Sequence, residues 1–202
     1  MMKHREWFDS MAAKWDSTVL EDKKCQLLFD LITGLNIVKG SRVLDVATGT
    51  GILIPRLLNI IGKEGELTAI DFAEKMIARA QSKFKATGVN FLVADVMQLP
   101  FGDNNFDEII CNSAFPHFTH QPKAMQEMAR VLKTGARLII CNPAPREELN
   151  EFHRSLGGVV GNDMLPAEPE MRHMARQAGL EQVLIQDGPY AYLFTAIKTN
   201  AV

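Results

Sequence analysis

From residue 42 to residue 141 the chain alternates short apolar runs with amphipathic segments, and that alternation admits few folds. Residues 42–46, 67–70, 90–94, 106–111 and 136–141 read as strands. Between them, residues 52–61, 73–85 and 122–132 carry apolar side chains at helical spacing, with Met76, Ile77 and Ala80 on one face of the second. Gly62, Gly88 and the turn Lys133-Thr134-Gly135 stop these helices. Repeated strand–helix–strand units predict an α/β fold in which helices cover a parallel sheet. Residues 146–156 and 168–178 read as two further helices around a glycine-containing loop, 157–166. The last apolar runs, 181–186 and 190–198, are separated only by Asp187, Gly188 and Pro189. So short a connection joins antiparallel strands, because a parallel return needs a longer crossover. A mostly parallel sheet with its last strand antiparallel is expected. Residues 1–36 read as a helical cap, with Trp7, Phe8, Met11 and Trp15 on one side and Leu27, Leu28, Leu31 and Ile32 at helical spacing.

Bulk properties narrow the function. A chain of 202 residues suits one domain, expected here over residues 1–202. The net charge is −2 and no basic run occurs, so no nucleic-acid partner is expected. No apolar stretch approaches the roughly 18–20 residues that cross a bilayer, so no membrane span is expected either. The first 15 residues lack the apolar segment of a secretory signal, which makes the cytoplasm the expected compartment. Cys25, Cys111 and Cys141 have neither disulfide nor zinc spacing. His120, His153, His173 and Asp163 show no metal-site pairing, and no metal is expected.

The segment with most chemistry is 43–51, a buried strand that runs into closely spaced glycines and then a helix. Such a turn lets backbone N–H groups approach a ligand without side-chain obstruction. A dinucleotide fingerprint starting at Gly49 would need glycine or alanine at position 54, which is Ile54. Asp45, on the strand before the loop, favours a cation over a pyrophosphate. The segment resembles the first motif of the class I methyltransferases, acid-x-Gly-x-Gly-x-Gly. Asp45 matches the acid, Gly49 and Gly51 match the last two glycines, and Ala47 replaces the first.

That resemblance implies a Rossmann-like, seven-stranded sheet of order 3-2-1-4-5-7-6, and S-adenosylmethionine as methyl donor. It implies that Asp45, Ala47, Thr48, Gly49 and Gly51 form the cofactor loop. Asp71 lies 20 residues beyond Gly51 at the end of the second strand, where a carboxylate can accept hydrogen bonds from both ribose hydroxyls. Phe72, Met76, Asp95, Val96 and Asn112 complete the expected cofactor set. Asp95 would face the adenine amino group, and the backbone N–H after it a ring nitrogen. The pair His117-Phe118 and the stretch 130–135, with Thr134 where proline is usual, resemble the menaquinone-biosynthesis-like group that acts on small molecules.

Residues just after strand four lie where ligands of open sheets bind, which makes Asn112, Ser113 and His117 active-site candidates. Two readings of His117 stand: a base, because an imidazole titrates near neutral pH, or a packed wall residue. Phe115, His117, His153 and Arg154 are the expected acceptor-side residues. The last two belong to residues 143–179, where members of this fold insert substrate-covering elements. Trp7, Phe8 and Trp15 read either as a lid or as core. Methyl transfer to a small-molecule acceptor is the expected activity. A cofactor-binding module without catalysis and a nicotinamide-dependent oxidoreductase are the alternatives. Ile54 and the absence of a Tyr-x-x-x-Lys motif argue against the oxidoreductase, since the tyrosines are Tyr190 and Tyr192.

Overall fold

The computed structural model describes residues 2–19 and 22–199. Met1, Leu20 and Glu21 of the expected cap, and residues 200–202 of the expected domain, lie outside the described residues. Three helices, α1 (Met2–Met11), α2 (Trp15–Val19) and α3 (Asp22–Gly34), precede β1 (Arg42–Val46). The chain continues through α4 (Ile54–Ile61), β2 (Glu66–Asp71), α5 (Glu74–Lys83), β3 (Asn90–Val93) and β4 (Phe106–Asn112). A single 3-10 turn at Phe115–His117 leads to α6 (Gln121–Val131) and β5 (Leu132–Asn142). Then come α7 (Arg146–Leu156), α8 (Glu168–Gln177), β6 (Leu180–Asp187) and β7 (Tyr192–Lys198).

The strands form one sheet in the order β3-β2-β1-β4-β5-β7-β6. The β3-β2-β1-β4-β5 pairs are all parallel, and β7 runs antiparallel to both β5 and β6. Side chains alternate between two cores. Leu44, Ile109, Leu138 and Ile140 pack with Met125 and Met128 of α6, whereas Val43, Ile110 and Ile139 pack with Ile32 of α3 and Leu57 of α4. Both faces are therefore dry, which explains why these strands read as continuous apolar runs rather than as alternating patterns.

Most boundaries lie within about two residues of expectation, and that of β5 differs by more. β5 begins at Leu132 rather than at residue 136, because the 133–135 segment stays in the ladder as a bulge. Leu132 pairs with Phe106 and Arg137 with Glu108, so β5 carries the surplus residues, and Gly135 takes a φ of +80° within it. At this edge Asp107 accepts from the Arg42 N–H at 2.9 Å and from Lys133 Nζ at 2.7 Å, a structural role away from the opposite, ligand-binding edge.

At the carboxyl edge, β1 has β2 on one side and β4 on the other, and the strand order reverses there. A crevice opens at such a reversal because the following connections leave to opposite faces. The turn out of β1 is packed as tightly as the sheet. Gly51 has φ +88°, and a Cβ there would come within 2.7 Å of both Ile54 Cδ1 and Phe84 Cε2. Gly51→Ala should therefore lower unfolding stability by about 1–3 kcal/mol in urea melts, and an unchanged midpoint would contradict this packing.

Candidate functional site

The site begins where β1 leaves the sheet. Ala47 and Gly49 take φ of +55° and +57°, which turns the chain back towards the tip of β2. The Thr48 N–H donates to the Ile70 carbonyl at 2.8 Å, and the Gly49 N–H donates to Asp71 Oδ2 at 2.9 Å. Asp71 Oδ1 accepts the Ala73 N–H at 2.9 Å, just before α5. Each carboxylate oxygen thus accepts a backbone N–H. Two strand tips and one loop are tied together by this single side chain.

A second carboxylate lies beneath it. Asp45 is 2% exposed and accepts from Thr48 Oγ1 at 2.6 Å. Burial raises its pKa to about 7; the Thr48 bond opposes the rise and the Asp71 charge adds to it. Burial likewise raises Asp71 to about 6, against its bonds from the Ala73 and Gly49 N–H groups. The two acids repel one another, and a cation brought near them would relieve that repulsion.

The cavity above the loop is lined by Ala47, Thr48, Gly49, Asp71, Phe72, Met76, Asp95, Val96, Asn112 and His117, ten of the residues expected from the sequence. Asp95 Oδ1 accepts the Met97 N–H at 2.9 Å, which folds the chain beyond β3 back over the site. Asn112 Oδ1 accepts from Ser113 Oγ at 3.3 Å. Phe8 and Trp15 of the cap complete the wall, so the aromatic side of α1 and α2 faces the cavity. Trp7 stands behind them, its ring 4.9 Å from that of Phe8.

Five expected contact residues do not line the cavity. Asp45 supports the loop from below through Thr48. Gly51 faces Ile54 and Phe84, so its small size serves packing. Phe115 is fully buried in the core shared with α6. His153 is buried behind His117, their ring centres 4.8 Å apart, and its Nδ1 donates to the Asp163 carbonyl. Burial, followed by the nearby His117, holds the His153 pKa below its usual value despite that bond. Arg154 points away and pairs with Glu147 at 3.1 Å.

His117 is held by a residue that sequence reasoning considered only as a metal ligand. Asp163 Oδ2 lies 2.7 Å from His117 Nδ1, and Asp163 Oδ1 lies 3.1 Å from His4 Nε2. Burial pushes the Asp163 carboxyl up, but its bonds with His117 and His4 outweigh this and hold it below the usual carboxylate range. His4 also lines the cavity and carried no local signal in the sequence. Among the described residues no group of three or more His, Cys, Asp or Glu side chains is arranged to hold a metal. No helix there is long and apolar enough to cross a membrane.

Comparison with known proteins gives consistent results. A family described as "Methyltransferase domain" matches residues 37–186. The ubiquinone/menaquinone biosynthesis C-methyltransferase UbiE of Ectopseudomonas mendocina is 32% identical, over 90% of this chain and 82% of that protein. The protein of the same name from Haemophilus ducreyi is 31% identical, over 72% of this chain but only 66% of its own length. A crystal structure of a SAM-dependent methyltransferase from Aquifex aeolicus superposes with a TM-score of 0.74 at 25% identity, covering 94% of this chain and 97% of that one.

The buried Asp45 makes a prediction about pH. With its pKa raised, the folded chain binds more protons than the unfolded chain between about pH 4 and pH 7. Its favourable contribution is complete below about pH 4 and is lost as pH rises through 7. Asp45→Asn keeps an acceptor for Thr48 without the charge. In urea melts from pH 5 to pH 7, the native chain should lose up to about 1.4 kcal/mol per pH unit relative to the variant. Parallel stability curves would contradict the assignment.

Proposed function

We propose that this chain, which belongs to the class I S-adenosylmethionine-dependent methyltransferase family, methylates a small, ring-bearing and largely apolar acceptor that carries an acidic hydroxyl. What carries this reading is one cavity lined by two unlike sets of residues. One set is the Gly49 loop with Asp71, Asp95 and Asn112, which we assign to the donor; the other is His117 with Phe8, Leu28, Met97 and Phe118, which we assign to the acceptor.

The first set fits the donor. Asp71 brings two carboxylate oxygens to the cavity wall, the paired acceptors that a ribose diol requires. Gly49 leaves open the space that a Cβ would fill beside Trp15, 3.6 Å from its Nε1. Phe72, Met76 and Val96 offer apolar surface for a purine, and Asp95 an acceptor for its amino group. S-adenosylmethionine, when bound, supplies a methyl carbon made electrophilic by the positive sulfur. The protein's remaining tasks are orientation and exclusion of water. Phe8 and Trp15, reaching over the cavity from the cap, serve the second task.

The second set suggests the acceptor class. Its aromatic and aliphatic side chains suit the faces of a ring. His117 Nδ1 is engaged by Asp163, which leaves Nε2 to take the proton lost from an acceptor hydroxyl as the nucleophile forms. The relatives' names refer to quinone biosynthesis, and a reduced quinone has this combination of apolar ring and acidic hydroxyl.

Calorimetry with S-adenosylhomocysteine tests the donor assignment. Asp71→Ala should weaken binding by about 1.5–3 kcal/mol, the scale of charge-assisted hydrogen bonds. Transfer of labelled methyl to a panel of naphthols, catechols and reduced naphthoquinones tests the acceptor assignment. His117→Gln should lower kcat about 10²–10⁴-fold with little change in donor affinity. Unchanged affinity in the first variant removes the ribose assignment, and a panel that yields no methylated product removes the acceptor class.

A further inference from the structure

Asp163 lies in the loop between α7 and α8, yet it joins parts of the molecule remote in sequence. Its carboxylate meets His117 from the β4 edge and His4 from α1, and its backbone carbonyl meets His153 from α7. The loop is built as a rigid pedestal. Asn150 clamps Leu165 with two bonds, from Leu165 N–H to Oδ1 at 2.8 Å and from Nδ2 to the Leu165 carbonyl at 3.1 Å. Gln121 Nε2 holds the Met164 carbonyl at 3.0 Å. Gly161 crosses so close to Gly157 that a Cβ would lie 2.6 Å from the Gly157 Cα. A surface loop with no task needs none of this.

We infer that Asp163 is a positioning residue: it fixes the tautomer and plane of His117 and, through His4, fastens α1 over the cavity. A carboxylate has no proton to donate, so the neutral imidazole beside it must place its proton on Nδ1, facing Asp163. Nε2 is then a bare acceptor, and it has no hydrogen bond among the described residues. Phe8 of α1 packs edge-on against the His117 ring at 5.2 Å, so the helix that supplies His4 also supports the imidazole plane. His153 and Asp163 are the titratable groups that meet this imidazole, from α7 and the α7–α8 loop, and His4 of α1 meets Asp163 behind it. When α1 lifts away, Asp163 loses one partner and His117 loses a wall. One carboxylate thus sets the tautomer of the base and fastens the cap beside it.

This inference deepens the reading of His117 as a base, but its test needs no acceptor. In protein labelled with 15N-histidine, with His117 assigned by loss of its signals in His117→Gln, neutral His117 should carry its proton on Nδ1. Asp163→Asn presents an amide N–H to Nδ1 and should move the proton to Nε2, the outcome known for this substitution in the serine-protease triad. His4→Gln should leave the tautomer unchanged while raising hydrogen exchange of α1 amides about tenfold, the scale of one hydrogen bond. A proton on Nε2 in the native chain overturns the inference even if Asp163→Asn does not fold. So does α1 exchange unchanged in His4→Gln. A failed acceptor panel alongside these spectra would remove the substrate class and leave the positioning role standing.

Discussion

The bond from the Gly49 N–H to the Asp71 carboxylate joins the first two strand tips, and the shape of the cavity follows from it. Together with the bond from the Thr48 N–H to the Ile70 carbonyl, that carboxylate offsets the left-handed conformation that Ala47 adopts as the loop turns back over β2. The carboxylate is itself held away from water, only 6% exposed, with a second buried acid close by. The free protein therefore stores unfavourable electrostatics at the place where a positively charged ligand belongs. The positive sulfur of the proposed donor would relieve that repulsion.

The cap converts this open crevice into a chamber. Three acidic residues fasten it, each to a different part of the body. Asp9 accepts the Lys75 N–H at 2.8 Å at the start of α5, and Asp16 meets Thr50 Oγ1 together with Lys83 at 3.2 Å. Asp163 reaches in the other direction, from the body to His4. Apolar contacts add to these three: Phe8 of α1 and Ala12 just beyond it pack on Ala73 and Met76, and Leu28 and Ile32 anchor α3 in the core on one face of the sheet.

Much of this was legible in the sequence because it depends on local chemistry. Buried strands declare themselves as apolar runs, and acids at the ends of β2 and β3 are visible by place, so the family resemblance could be carried onto Asp71 and Asp95, both of which line the cavity. What failed to show depends on direction and distance. Asp45 sits beside the glycine loop in sequence, but its side chain turns under the loop towards Thr48. His153 and Arg154 are neighbours on α7, yet one is buried behind His117 and the other faces Glu147, a split decided by the helix's rotation against the body. His4 and Asp163 are 159 residues apart, and no periodicity links them. The early start of β5 was hidden because Lys133-Thr134-Gly135 has turn chemistry, which the bulge uses without leaving the ladder.

The most direct test is a crystal structure of the chain with S-adenosylhomocysteine. The ribose hydroxyls should lie within hydrogen-bond reach of Asp71, the purine between Phe72 and Val96, and the sulfur facing His117. A nucleoside bound elsewhere, or His117 turned away from the sulfur, would contradict the assignment of one continuous site to the tips of β1, β2, β3 and β4.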